Sequence, residues 1–122
     1  MKTILIVEDS ATTRALIRAV IEEIDEYETV EAGSGFEALK MLPLQTYDLI
    51  ITDINMPDIN GLELINFVRT NDRYRHIPII IVSTERSEED KKRGMALGAT
   101  AYVTKPFKSA ELQEVITKII GS

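Results

Sequence analysis

Four places along the chain pair an apolar run with a group able to do chemistry. Glu8 and Asp9 follow ILIV (Ile4 to Val7), and Asp53 follows LIIT (Leu49 to Thr52). The run IPIIIVS (Ile77 to Ser83) ends in Ser83 with Thr84 next, and AYVTK (Ala101 to Lys105) ends in Lys105 ahead of Pro106. Carboxylates brought close together repel and raise one another's pKa unless a cation joins them. An all-oxygen donor set suits a hard ion, and Mg²⁺, which keeps several waters, fits a few carboxylates plus a phosphate oxygen. Lys105 and the Ser83 hydroxyl could stabilise phosphoryl oxygens. Asp53 could then act as the nucleophile and form an aspartyl phosphate.

Taken singly, each group has a plainer reading. Asp53 could cap a helix or close a turn, Asp9 or Ser10 could cap the helix that follows, and Ser83 could be a satisfied polar strand residue. The plainer readings give no reason for all these groups to stand at the same ends of apolar runs. A common site does, provided the fold brings the run ends together.

The apolar runs are short and rich in β-branched residues, as in strands covered on both faces. YETVEA (Tyr27 to Ala32) and AYVTK are more polar and suit sheet edges. Between the strands the period becomes helical. Leu16, Ile17, Val20, Ile21 and Ile24 mark one face of a first helix; Ser34 with Glu37 predicts a capping box for a second, ended by Pro43. Gly61 opens a third helix with Leu62, Ile65 and Val68 toward the core, and Ser109 is the expected cap of a last helix bearing Leu112, Val115, Ile116, Ile119 and Ile120. The fourth helix, Ser87 to Leu97, has almost no apolar anchors before Met95, and Gly94 costs it about 1 kcal/mol relative to alanine. It is expected to be the most loosely held.

This alternation predicts an α/β fold: a parallel sheet with right-handed crossovers, helices on both faces and the most apolar strands in the middle. Strand order 2-1-3-4-5 satisfies that preference, giving a flavodoxin-like three-layer α/β/α sandwich of five strands and five helices. Ligands of such sheets sit beyond the carboxyl ends of the strands at the switch point, here between the first and third strands. Those are the ends that carry the acids.

With 122 residues, 44% hydrophobic and 28% charged, the chain is expected to form one domain over residues 1–122. The absence of cysteine excludes disulfides and thiolate metal sites and fits a reducing cytoplasm. The apolar runs are too short to span a bilayer, and MKTILIVED reaches acids too early for a signal peptide. A formal net charge of −6 without a basic stripe argues against nucleic-acid binding. His76, the one histidine, lies outside every motif and reads as a loop residue.

The motifs ILIVEDS, LIITDINMPDINGLEL, IIIVST and AYVTKPF, in this order and spacing, resemble the receiver domains of two-component response regulators, and among them the single-domain CheY-like regulators. The resemblance covers the whole chain. It implies that Asp53 accepts a phosphoryl group from a histidine kinase or phosphotransfer protein, with Glu8 and Asp9 as the acidic metal pair and the Asn55 backbone carbonyl as a further ligand. The implied cofactor is Mg²⁺, for which Mn²⁺ could substitute. Ser83 would be the switch hydroxyl, Lys105 the phosphate-binding lysine, and Pro106 would follow a cis peptide bond that aims Lys105 inward.

Tyr102 matches the aromatic switch position, although a tyrosine in an edge strand can equally be simple packing. In such proteins phosphorylation draws the hydroxyl inward, the ring follows, and the surface of the fourth helix, fifth strand and fifth helix changes to regulate a protein target. The resemblance also implies a cytoplasmic monomer that could dimerise once phosphorylated, and a switch rather than an enzyme, one that assists only its own phosphorylation and dephosphorylation.

Some positions vary from the commonest pattern. Glu8 replaces the usual first Asp and adds a methylene; Thr84 is bulkier than the usual Ala or Gly and is expected to narrow access to the phosphoryl group. Asn55 and Glu85, at the variable positions that influence attacking water, point to a short phosphate lifetime. An FMN binder using Ser10, Thr12 and Thr13 as a phosphate loop leaves Asp53 and Lys105 unexplained. A pseudo-receiver would more naturally have lost some acids or the lysine, and a phosphohydrolase would need a lid that these short connections cannot build.

Overall fold

The computed structural model describes residues 1–84 and 88–121. The elements alternate as β1 (Lys2–Val7), α1 (Ala11–Glu22), β2 (Tyr27–Ala32), α2 (Gly35–Met41), β3 (Leu49–Thr52), α3 (Gly61–Thr70), β4 (Ile79–Ser83), α4 (Glu88–Leu97), β5 (Ala101–Thr104) and α5 (Ser109–Ile120). All strand pairs are parallel and the order is β2-β1-β3-β4-β5, as the apolar gradient among the strands predicts. Neighbouring strands run level: Val7 pairs Thr52, Thr52 pairs Ile81, and Ser83 pairs Thr104.

The continuous apolar runs are explained by two cores, one on each face of the sheet. Ile4, Ile6, Leu49, Ile51, Ile80 and Val82 pack with Ile17 and Ile21 of α1 and Leu112 and Ile116 of α5. Their alternating neighbours Leu5, Val7, Ile50, Ile79 and Ile81 pack with Ala38 of α2 and Leu62, Ile65 and Val68 of α3. Successive strand side chains point to opposite faces, so a strand covered twice must be apolar at every position.

Several boundaries differ from the sequence reading. Leu16 is 53% exposed, so the buried stripe of α1 is Ile17, Val20 and Ile21. Ile24 lies past the end of α1 and is only partly buried against its core. β4 begins at Ile79 because Pro78 lacks the N–H a ladder needs, and the Ile77 amide bonds back to Tyr74 O. The residue capping α5 is Lys108, whose N–H donates to the Glu111 carboxylate at 3.4 Å, and Ser109 is the first helical residue. Ser34 Oγ accepts from the Glu37 amide at 3.0 Å as expected, while the reciprocal capping box forms at α3, between Asn60 and Glu63. The predicted Ser87 start of the fourth helix falls outside the described residues.

On α4 the one buried residue is Gly94, and the surrounding positions are exposed or half-buried. A Cβ at Gly94 would lie 2.5 Å from Ile81 Cδ1. The residue that weakens the helix by propensity is thus the one that lets it approach the sheet. His76 is an exposed residue of the turn before β4, as read.

Candidate functional site

The level register delivers the strand ends to one rim. The Asp53 amide donates to Val7 O at 3.1 Å, placing Asp53 beside Glu8, and the Lys105 amide donates to Ser83 O at 2.9 Å, placing Lys105 beside Ser83. Lys105 Nζ then reaches across β4 and β3, donating to Glu8 Oε1 at 2.6 Å and to Asp53 Oδ2 at 3.1 Å. One carboxylate oxygen each from Glu8, Asp9 and Asp53 lies within 4.8 Å of the others. Glu8 is 2% exposed and Asp53 9%, whereas Asp9 is exposed. The site is a half-buried acidic bowl, open on the Asp9 side.

Local structure aims each acid. Glu8 Oε2 accepts from the Ser10 amide at 3.1 Å, and Ser10 Oγ caps α1 by accepting from the Thr13 amide at 3.3 Å. That cap employs the hydroxyl an FMN loop would have needed. Asp53 Oδ1 accepts from the Ile54 amide at 2.7 Å, and Thr52 Oγ1 donates to Asp53 O at 2.9 Å. Behind Asp53 sits Gly61, whose amide donates to Ile54 O at 2.8 Å. A Cβ there would stand 2.0 Å from Asp53 O, so only glycine lets α3 begin so close to the nucleophile candidate.

Burial raises the Glu8 pKa above its usual value, and the nearby Asp53 carboxylate adds to the rise; the bonds from Lys105 and the Ser10 amide only partly offset it. For Lys105 burial pulls the pKa down, but the two carboxylates outweigh it and the net shift is upward, so the ammonium is held charged. Three carboxylate oxygens with a lysine and no sulfur or imidazole among them match the donor set of a hard cation.

The remaining predicted residues have defined places. Ser83 is fully buried at the end of β4, Thr84 next to it is exposed, and Asn55 is exposed in the loop leaving Asp53. The Lys105–Pro106 bond is cis. Tyr102 is half-buried on β5 with Lys91 Nζ of α4 5.9 Å from its ring centre. Glu85 lies outside the described residues. Arg14 escaped the sequence reading: its Nη1 donates to Glu8 O at 2.8 Å, a contact that a residue on the polar face of a helix does not announce.

A doubly wound parallel sheet of this order, with acids ending the adjacent interior strands β1 and β3 and a lysine bonded to both, has the donor groups to hold a hard cation and a phosphoryl group. The sequence profile of the response regulator receiver domain matches residues 4–117. The chain is 36% identical to chemotaxis protein CheY of Pseudomonas aeruginosa over 95% of this chain and 94% of that one. It is 33% identical to CheY1 of Helicobacter pylori, over 98% and 97% of the two chains. The crystal structure of CheY4 from Vibrio cholerae superposes with a TM-score of 0.90 at 34% identity, covering 98% of this chain and 99% of that one. A sensor histidine kinase receiver domain from Pseudomonas aeruginosa, with a magnesium ion coordinated in its active-site cleft, superposes at 0.89 with 30% identity over 99% and 98% of the chains. The chain belongs to the response regulator receiver family, whose members are phosphorylation-activated signalling switches that take phosphoryl groups from histidine kinases and act on downstream targets. Among the described residues no helix is long and apolar enough to cross a membrane.

Proposed function

We propose that residues 1–122 act as one receiver unit in which Asp53 is the phosphoacceptor, Glu8, Asp9 and Asp53 hold Mg²⁺ with the Asn55 carbonyl as a further ligand, and Lys105 and Ser83 bind the phosphoryl group. The observation that carries this reading is the Lys105 ammonium, 2.6 Å from Glu8 and 3.1 Å from Asp53, in a bowl where Asp9 supplies a third carboxylate. An Asp53 carboxylate oxygen attacks the phosphorus of a phosphohistidine donor. The P–N bond breaks as the new P–O bond forms, and its electron pair returns to the imidazole nitrogen. The Lys105 ammonium, within hydrogen-bond distance of Asp53, offsets charge on the incoming oxygens. Ser83, fixed beside Lys105 by the β4–β5 register, supplies a hydroxyl for a phosphoryl oxygen. Glu8, Asp9 and Asp53 would hold a divalent cation, Mg²⁺ or Mn²⁺, which would supply positive charge to offset the phosphoryl oxygens.

The protein assists only its own phosphorylation and dephosphorylation, with Asn55, Thr84 and Glu85 setting phosphate lifetime. Ser83, buried at the end of β4, and Tyr102 on β5 form the switch, and the signal leaves through the α4–β5–α5 surface; the contact between Lys91 and Tyr102 supports a ring coupled to α4. The phosphoryl donor is a histidine kinase or phosphotransfer protein, and the unphosphorylated protein is a cytoplasmic monomer. Intact mass after incubation with acetyl phosphate tests the assignment. Wild type is expected to gain one phosphoryl group only with Mg²⁺, and Asp53→Asn none. An equal adduct on the variant, or none on wild type with several donors, overturns it.

A further inference from the structure

Arg14, in the first turn of α1, makes contacts in two directions. Its Nη1 donates to the main-chain oxygen of Glu8 at 2.8 Å, and its Nε pairs with Glu31 Oε1 of β2 at 3.0 Å. The side chain is 22% exposed and packs over Gly33, where a Cβ would lie 3.5 Å from Nη1. Glu31 uses its other oxygen to accept from Arg18 at 3.0 Å. Resting on the phosphoacceptor reading above, we propose that Arg14 is a positioning residue for the Glu8–Asp9 turn, aimed by Glu31.

The Glu8 carbonyl and the Asp9 amide belong to one rigid peptide plane. The Glu8 amide, on the strand side of the residue, is held by Ala32 O at 3.1 Å. Arg14 holds the carbonyl on the other side, so it sets the direction in which the chain leaves β1 and in which the exposed Asp9 carboxylate is presented. An arginine fork can satisfy a carbonyl and a carboxylate at once, whereas a lysine ammonium lacks that planar geometry. Groups that orient metal ligands change metal affinity without touching the ion.

Positioning and simple charge make opposite forecasts. A guanidinium beside a cation site repels the cation, so removing the charge alone would tighten binding. Loss of the carbonyl anchor weakens it. Calorimetric titration of Mg²⁺ into the full chain separates the two. Arg14→Met is expected to bind Mg²⁺ about tenfold more weakly than wild type. Arg14→Lys recovers part of the loss, and Arg18→Met, which gives up a Glu31 ion pair without a bond to Glu8, stays within about twofold. Mg²⁺ binding by Arg14→Met as tight as wild type, or tighter, overturns the proposal. Equal weakening in Arg18→Met also overturns it, because the effect would then belong to the α1–β2 ion pairs in general. If Arg14→Met fails to fold, Glu31→Gln serves instead; Mg²⁺ binding weaker than in Arg18→Met, which loses only the second Glu31 pair, supports the proposal, and binding unchanged or equal to that of Arg18→Met overturns it. A wild type that takes up no Mg²⁺ removes the metal reading itself and this inference with it.

Discussion

At the scale of single residues the site is a balance of charges that the resting protein satisfies with its own lysine. Glu8 and Asp53 are mostly buried, and Lys105 is the cation bonded to both. Breaking a buried ion pair from one side leaves an uncompensated charge, which costs more than the intact pair contributes. Lys105→Met is therefore expected to lower stability in chelator by about 3 kcal/mol, read from urea denaturation, with the loss partly recovered when Glu8→Gln is added. An unchanged urea midpoint in the single variant would sink this account. The candidate residues were legible because several such groups end apolar runs of one predicted sheet, a coincidence that their plainer single readings do not explain. Arg14 was not legible, since its role depends on Glu31, a strand residue brought beside α1 only by the crossover.

At the scale of elements, two glycines set how closely helices approach the sheet. Gly94 was read as a weakness of α4, and by propensity alone it is; in the fold it is the point where α4 reaches Ile81. Gly61 has a stricter task, because the atom its Cβ would strike is backbone, the carbonyl oxygen of Asp53, which cannot rotate away. Gly61→Ala is expected to destabilise the protein by about 1–3 kcal/mol. By moving Asp53 it should also slow adduct formation from acetyl phosphate, in contrast to a remote substitution of equal thermal cost. Wild-type stability and phosphorylation rate together would refute the close-approach argument. Element types were readable from period and punctuation, while boundaries slipped where a local bond competed, as at Ile77 and Ser109.

For the whole molecule, the acidic bowl couples binding to stability. Mg²⁺ bound only by the folded state should raise stability by about 1.4 kcal/mol at a tenfold excess over its dissociation constant. A rise of a few degrees in Tm is expected for wild type and a much smaller one for Asp9→Asn, which removes the exposed carboxylate while leaving the Lys105 contacts in place. Scanning calorimetry with and without Mg²⁺ decides it: equal shifts in both proteins would count against the three-carboxylate site.

The sequence by itself determined the class of fold and singled out the candidate groups of the site. Doubly covered strands must be apolar at every position, so ILIV, LIIT and IIIVS declared a parallel sheet, and the residues just beyond them declared a site. Only the tertiary structure decided how those groups meet. The contacts of Lys105 with Glu8 and Asp53 join residues far apart in the chain, while the contact of Arg14 with Glu8 O and the space behind Asp53 that admits only Gly61 depend on how α1 and α3 seat against the sheet. Such contacts follow from strand register and crossover packing, which no local pattern encodes.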